Sequence, residues 1–524
     1  MSEESTDLAP RGPATVLRIT SASAVLLAAC SLAPAPERPD PAADMPERFA
    51  APETSGTYEP LEWWQAFGDP VLDRVVDSVI ESNLDMAAAV GRVRQARERA
   101  RIADAAVLPV LQGGAGLADL STPGNVGFGG QIRELGFEQL APGFPLPDRL
   151  ALTTWSLSAD FAYEMDFWGR AASHALAAGA EFLASASDYH AAGIGVVAET
   201  IGTYLEIIDF RRRIELTTEI VDVLLAREQV ASTRYDRGLT DSLDLHRVRQ
   251  DLRNTQASLT ELKNGLVGGE SRLAVLLGGY REDVEALLDT IAAPETPADP
   301  VPAGIPADLL LQRPDVMAAR HRMEAARHAV SARRAELLPA LSLSGSIGLQ
   351  ACKRCPPGVR GSEIEDLFRV DQWFANLASN LLAPVFNGGR LRSNVSLAEA
   401  RFTETAAIYG SAVVTAVNEV ETSLAVMENK RQRHALLHSR LEEARATVDV
   451  RSQRYEAGIG SYPDYLDALR TELAVESALT SAERDLALAR LAIHRALGGA
   501  WTHSEPPDGE TVAAKRNRTG EPAG

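Results

Sequence analysis

Two periodicities divide this chain. Between Thr154 and Phe167 the period is two: Trp155, Leu157, Ala159, Phe161, Tyr163, Met165 and Phe167 alternate with Thr154, Ser156, Ser158, Asp160, Ala162, Glu164 and Asp166. A strand with this pattern has one apolar face and one polar or acidic face. Roughly 10 to 13 residues with Trp and Tyr near the ends suit a strand tilted through an outer membrane. One strand of a soluble antiparallel sheet reads the same way, and the residues after it tip the balance. From Gly169 the period lengthens. In a second such run, Leu391, Val395, Ala398, Phe402, Tyr409, Val413, Ala416, Val420, Leu424 and Met427 fall on steps of three and four, with one site skipped, and no proline stands between Val385 and Ser461. That is the seam of helices packed along their length. A helix of about 65 residues would be roughly 100 Å long, far beyond the three or four turns usual in a compact domain.

The long run occurs twice. Gly169-Arg170 returns as Gly389-Arg390, an offset of 220, and the same offset carries Phe182 onto Phe402, Tyr189 onto Tyr409, Glu199 onto Glu419, Arg234-Tyr235 onto Arg454-Tyr455 and Gly278-Gly279 onto Gly498-Gly499. Duplication of a whole structural unit explains so long an ungapped match. The first repeat is read as 61–280, with strands near 111–120 and 152–167, a long helix 169–232 and a helix 240–277. A linker, 281–313, leads to the second repeat, 314–499, with strands near 340–350 and 372–386, a long helix 389–453 and a helix 461–497. The helix after Leu239, about 40 residues, and an earlier one at 83–107, about 25, stacked end to end would match a long helix. Four strands per chain cannot close a membrane barrel, whose smallest members have about eight. Open edges are not tolerated in lipid, so the strands must be shared among subunits, and a trimer would supply about twelve. The predicted fold class is mixed α+β, mainly α: a long-helix α-barrel plus four transmembrane strands per protomer.

Composition narrows the function. The net charge of −20 over 524 residues argues against a nucleic-acid partner. No run of 18 or more apolar residues offers a membrane-spanning helix. Residues 1–29 read as a signal peptide ending Leu27-Ala28-Ala29-Cys30, which is similar to a bacterial lipobox. Cys30 would be acylated, and more than one acyl chain gives stable anchoring; the alternative is a thiol in an unstructured leader. Glu3, Glu4 and Asp7 do not suit the start of a signal peptide, so the working start is expected downstream. Residues 30–60 are Pro-rich and polar, an extended tether, and 500–524 form a tail. Walker A, HExxH and dinucleotide fingerprints are absent from the sequence, and the nine histidines are scattered. The reading is therefore a non-enzyme without cofactor or metal. Cys352 and Cys355 form one CxxC, a weak metal signal; in an oxidising compartment a local disulfide is expected.

From Cys30 to about Gly499 the chain resembles the TolC-like outer-membrane efflux channels, specifically the NodT-type lipoproteins of tripartite pumps. The resemblance is carried by Trp63-Trp64 followed by Phe67-Gly68-Asp69-Pro70, by Asp308-Leu309-Leu310-Leu311-Gln312-Arg313-Pro314-Asp315-Val316, by Phe386-Asn387-Gly388-Gly389-Arg390-Leu391, and by two Arg-Tyr-x-x-Gly turns. It implies a homotrimeric duct in outer-membrane lipid that continues across the periplasm, served by a periplasmic adaptor and an inner-membrane pump of the resistance-nodulation-division type. The turns themselves, Arg234, Tyr235, Gly238 and Leu239 in one copy and Arg454, Tyr455 and Gly458 in the other, are placed to close helices; in the family such tips receive the adaptor. The resemblance also implies a periplasmic gate: Asp467 matches the acidic constriction, with Asp464 as the alternative, and Ile459 and Pro463 match the apolar positions facing it. Pro463 departs from the bulky aliphatic residue usual there, which favours an acidic ring. A type I protein-secretion channel shares the fold and is one rival. A non-membrane coiled-coil scaffold is the other, and the alternating strand speaks against it.

Overall fold

A computed structural model describes residues 63–123, 149–288, 307–353 and 363–499. The expected signal peptide, the tether with Cys30, Cys355 and the tail lie outside the described residues. In chain order the elements are α1 (Pro70–Ser82), α2 (Leu84–Ala105), β1 (Val110–Pro123), β2 (Arg149–Met165), α3 (Arg170–Asp236), α4 (Ser242–Leu276), α5 (Arg281–Leu287), α6 (Pro314–Ala335), β3 (Ala340–Cys352), β4 (Trp373–Leu382), α7 (Arg390–Glu456) and α8 (Tyr462–Ala496), with short 3-10 turns between some of them. The chain is thus mainly helical with one small sheet.

The duplication reaches beyond the ungapped match at offset 220. Helices α3 and α7 are both 67 residues long and 220 residues apart, and α4 and α8 are both 35 residues at the same offset. Helices α2 and α6 also match, at 22 residues each, but Leu84 and Pro314 stand 230 apart. The extra ten residues belong to the connection between β1 and β2. The lengths correct the sequence estimate: α4 and α2 are shorter than the 40 and 25 residues expected.

The chain forms two compact units. The first, residues 99–179 and 325–402, holds an antiparallel meander in the order β1-β2-β3-β4. Directly opposed residues share a face, so the register defines both sides of the sheet. Leu117, Trp155, Ala351 and Leu157, Leu349, Trp373 fall on one side with Phe161, Tyr163, Leu343, Ile347, Leu377 and Leu381; Ser158, Asp160, Ser346, Asn376 and Asn380 fall on the other. One face is apolar across four strands and the other polar, the division of a lipid-exposed barrel wall. Glycine thins the polar side: a Cβ on Gly348 would come 2.3 Å from the Leu157 carbonyl oxygen. Strand β4 ends at Leu382, short of the expected 386, because residues 383–386 have no ladder partner in this chain. Among the described residues, β1 and β4 each keep one unpaired edge.

The second unit takes the other described residues and is helical. The apolar stripe of α1, Val71, Leu72, Val75, Val76 and Val79, is buried, and most of it packs on Val197, Ile201, Tyr204 and Ile207 of α3. Asp69 caps α1 by accepting from the amides of Val71 and Leu72, and accepts the Tyr204 hydroxyl at 2.5 Å. The α7 seam is buried at Tyr409, Val413, Ala416 and Val420 against Leu310, Val316 and Ile493. Helix α3 contains a window apolar enough to cross a membrane, but 56% of that window is buried in the fold, as in a core helix.

At two equivalent places one helix ends where another begins. The Asn83 amide donates to the Leu276 carbonyl at 2.8 Å, joining the end of α4 to the start of α2. Arg313 donates to the Ala496 carbonyl at 2.7 Å, joining α8 to α6. Asn83 and Arg313 are 230 apart and their acceptors 220 apart, so the same junction is built twice with different side chains. Burial opposes the charge of Arg313, but hydrogen bonds from its guanidinium to Asp315 and Glu419 outweigh that and raise its pKa. The Arg-Pro-Asp motif is therefore a helix-joining device: a cation closes the carbonyl end of α8 while Pro314 opens α6.

Candidate channel tips and gate

Both helical hairpins of the second unit turn in the same way. At the first tip, Gly238 adopts φ 66°, and its amide donates to the Tyr235 carbonyl while Leu239 donates to Arg234. At the second, Gly458 adopts φ 74°, and Gly458 and Ile459 donate to Tyr455 and Arg454. These paired bonds satisfy the last carbonyls of α3 and α7, and the left-handed residue they need is glycine. The returning helices are capped by Asp241, which accepts from the Leu243 and Asp244 amides, and by Ser461, which accepts from Asp464. Leu239 and Ile459 stand exposed beside the turns, as do Tyr235 and Tyr455.

The tips are not copies in detail. Tyr455, Tyr462 and Tyr465 gather at the second, with ring centroids 5.1 to 6.5 Å apart. The first has Ser242 and Leu245 at the positions of Tyr462 and Tyr465. At the second tip the Arg454 carbonyl also accepts from Gly460, where a Cβ would come 2.9 Å from the Tyr455 nitrogen. Pro463 sits in the first turn of α8, where its fixed φ suits a helix start.

Asp467 faces cations rather than open solvent alone. Its Oδ1 accepts from Arg227 Nη1 of α3 at 2.8 Å and lies 3.5 Å from Arg470 Nη2, while Arg470 also approaches Asp251 of α4 at 3.7 Å. Asp464 lies 3.6 Å from Arg451. Sequence reading named the two aspartates but not Arg227 or Asp251, which lie far from Asp467 in the chain with no local motif to join them; Arg470, three residues after Asp467 on the same helix, carried a local signal in that spacing. The tyrosine cluster did carry a signal, in the spacing of Tyr455, Tyr462 and Tyr465. Further along the hairpins, Asp209 is almost fully buried and holds Arg484 at 2.8 Å, and Asp485 binds Lys430 and Arg433 at 2.8 and 2.9 Å. Burial would raise the Asp485 carboxyl, but hydrogen bonds from Lys430 and Arg484 outweigh it and lower its pKa. Helices α3, α7 and α8 are thus joined by ion pairs from the tip inward.

Cys352, at the end of β3, is disulfide-bonded, and its partner lies outside the described residues. Among the described residues no cluster of His, Cys, Asp or Glu could hold a metal ion.

The family model described as "Outer membrane efflux protein" matches residues 75–279 and 305–499. The chain is 29% identical over 483 residues to the pyoverdine export outer membrane protein OpmQ of Pseudomonas aeruginosa, covering 91% of this chain and 95% of that one. It is also 29% identical over 486 residues to the outer membrane protein OprJ of the same organism, covering 91% and 94%. Among solved structures, the Campylobacter jejuni CmeC outer membrane channel superposes with a TM-score of 0.78 at 21% identity, over 93% of this chain and 98% of that one. With a sheet divided into lipid and water faces, twin capped hairpins, and a family match spanning both repeats, the chain belongs to the outer membrane efflux proteins.

Proposed function

We propose that three copies of this chain form a passive outer-membrane duct of a tripartite efflux system, exporting small molecules rather than proteins. The observation that carries the reading is the four-stranded sheet with one apolar face and two unpaired edges: in lipid such edges must be closed, and three protomers would give a barrel of about twelve strands. The pyoverdine export relative supports a small-molecule cargo over secretion of proteins. An adaptor docks at the twin tips, Arg234 to Leu239 and Arg454 to Gly458, and an inner-membrane pump of the resistance-nodulation-division type supplies the energy. Cys30 is acylated and anchors the chain to the membrane, and Cys352 pairs with Cys355. A deletion strain should become more susceptible to drugs or metals and be rescued by the intact gene; unchanged susceptibility across a broad panel counts against export.

The gate is the ring of Asp467 side chains at the second tip. Each is held by Arg227 and Arg470 of its own chain, so the ring is less repulsive than bare aspartates would be, and α8 is latched to α3. With Asp467 about half exposed, one such pair contributes about 0.2–1 kcal/mol, small enough for an adaptor to break. Asp467→Asn should both abolish cation block in planar bilayers and raise the resting open probability. Unchanged conductance and block would remove Asp467 from the gate.

A further inference from the structure

The repeat builds one helix start twice and neutralises it once. Strand β2 runs into α3 and β4 into α7, and the ladder sets Met165 opposite Leu341 and Leu382 opposite Ala340, so both starts lie at the same end of the sheet. In the first copy Asp166 accepts from the Arg170 amide at 2.6 Å and the Ala172 amide at 2.8 Å. Glu164 accepts from the Arg170 guanidinium at 3.0 and 2.8 Å. Two carboxylates thus sit on one cation and one helix N-terminus, an end that favours negative charge.

The offset of 220 carries Arg170 onto Arg390 and Ala172 onto Arg392, but Glu164 onto Pro384 and Asp166 onto Phe386. The cation is kept while both carboxylates are replaced. Asn387 offers only an amide oxygen, 3.4 Å from the Leu391 nitrogen. Among the described residues the Arg390 guanidinium and the Arg392 amide have no acceptor. Both helix starts line one cleft of about 900 Å³, together with Arg333, Met165, Trp168, Leu382 and Phe386. Arg333 bonds Glu336 at 2.7 Å and Arg170 bonds Glu164, so Arg390 is the cation of that lining without a carboxylate. Beside it Val385 and Phe386 are 95% and 90% exposed, just past the lipid-facing sheet.

We infer that Arg390 and the start of α7 bind the headgroup phosphate of an outer-membrane phospholipid, with its acyl chains against Val385 and Phe386. The phosphate takes the place that Glu164 and Asp166 hold in the first copy. Guanidinium pairs with phosphate through two parallel bonds, and helix-start amides bind anions. The site lies where the sheet gives way to helices, the level at which aromatic and basic side chains meet headgroups. A chain of net charge −20 repels a free anion approaching from solution, whereas a lipid is delivered by its own chains. The inference uses the outer-membrane location and depends on neither the gate nor the cargo.

The test titrates the protein, purified in nonionic detergent, with dioleoylphosphatidylglycerol in the same micelles, and counts retained lipid by native mass spectrometry. The parent should retain a lipid on each chain and melt at a higher temperature with it. Arg390→Gln should bind about tenfold more weakly, the loss of one charge-assisted contact. Phe386→Asp returns the carboxylate that Asp166 supplies in the first copy. It should lose the lipid yet melt higher than the parent in lipid-free detergent, a gain that a packing role for Phe386 would not give. Equal retention by the parent and both variants would overturn the site. Protection by inorganic phosphate as strong as by the lipid would do the same, assigning a soluble anion. A parent that retains no lipid would also end the inference, because a carboxylate of a neighbouring copy would then meet Arg390. Light scattering on the same samples reads the proposed assembly separately.

Discussion

Arg313 and His494 show what single buried side chains contribute. Arg313 is 8% exposed and bonds the Ala496 carbonyl, Asp315 and Glu419, so Arg313→Leu strips three acceptors at one helix junction. Removing one partner of a buried charged network costs about 3–5 kcal/mol; since Asp315 and Glu419 are each about half exposed and can rehydrate, about 2–3 kcal/mol is expected. Asn83→Ala, at the equivalent junction, loses two neutral bonds, one donated to the Leu276 carbonyl and one accepted from the Met86 amide, and should cost about 1–2 kcal/mol. Thermal unfolding of the two variants should rank them in that order, and equal losses would mean that the charge adds nothing. His494 works through pH. Burial, with Arg490 nearby, lowers its pKa to about 4. The folded chain therefore holds it neutral while the unfolded chain protonates near pH 6.5. Between those values the unfolded state binds more protons, so stability falls as the pH drops from about 6.5 to about 4 and is unaffected by this group above that window. The full loss is on the order of 3 kcal/mol. Melting temperatures taken from pH 7.5 down to 4.5 should fall in the parent and fall less in His494→Phe; parallel curves would assign the acid sensitivity elsewhere.

Elements are legible where one period runs long enough to dominate. The 155–167 alternation marks β2 because both faces of that strand see a single environment each, and the α7 seam is readable because Tyr409, Val413, Ala416 and Val420 meet one continuous partner surface. Ends are less legible, since ladder partners set them. Strand β2 begins at Arg149 because residues 149–152 pair with Leu120–Pro123, and β4 stops where pairing within the chain stops. Strand β4 alternates poorly because Phe374 and Leu382 lie on the polar side, a placement that only the ladder with β3 reveals. The kinship of α2 and α6 is hidden by the change of offset from 220 to 230 and by the use of Asn83 in one copy and Arg313 in the other. At the proposed gate, the motif points to Asp467, but a carboxylate and the guanidinium that neutralises it, 240 residues apart in Arg227 and Asp467, are joined only by the folded hairpins.

At the scale of the molecule, the protomer's sheet is an unfinished structure. Among the described residues its two edges present unpaired amides and carbonyls, each costing several kcal/mol in hydrocarbon, and its barest apolar side chains lie along the same edges. A four-stranded sheet that leaves its barrel must therefore either fold over on itself, which the β1-β2-β3-β4 order opposes, or lose its strands. Assembly and sheet formation should then be one event. On heating in mild detergent, the trimer band of unboiled samples and the far-ultraviolet signal of the strands should vanish at the same temperature, and fluorescence from Trp155 and Trp373, both in the sheet, should change with them. The midpoint should rise with protein concentration, because dissociation is part of the transition. The helices need not melt with them: α3 buries Val197, Ile201, Tyr204 and Ile207 within its own chain, so a later helical transition is compatible with a sheet lost on dissociation. A protomer that dissociates well below the temperature at which its sheet signal disappears would mean that four strands are stable alone, and the physical reason for a shared barrel would be gone.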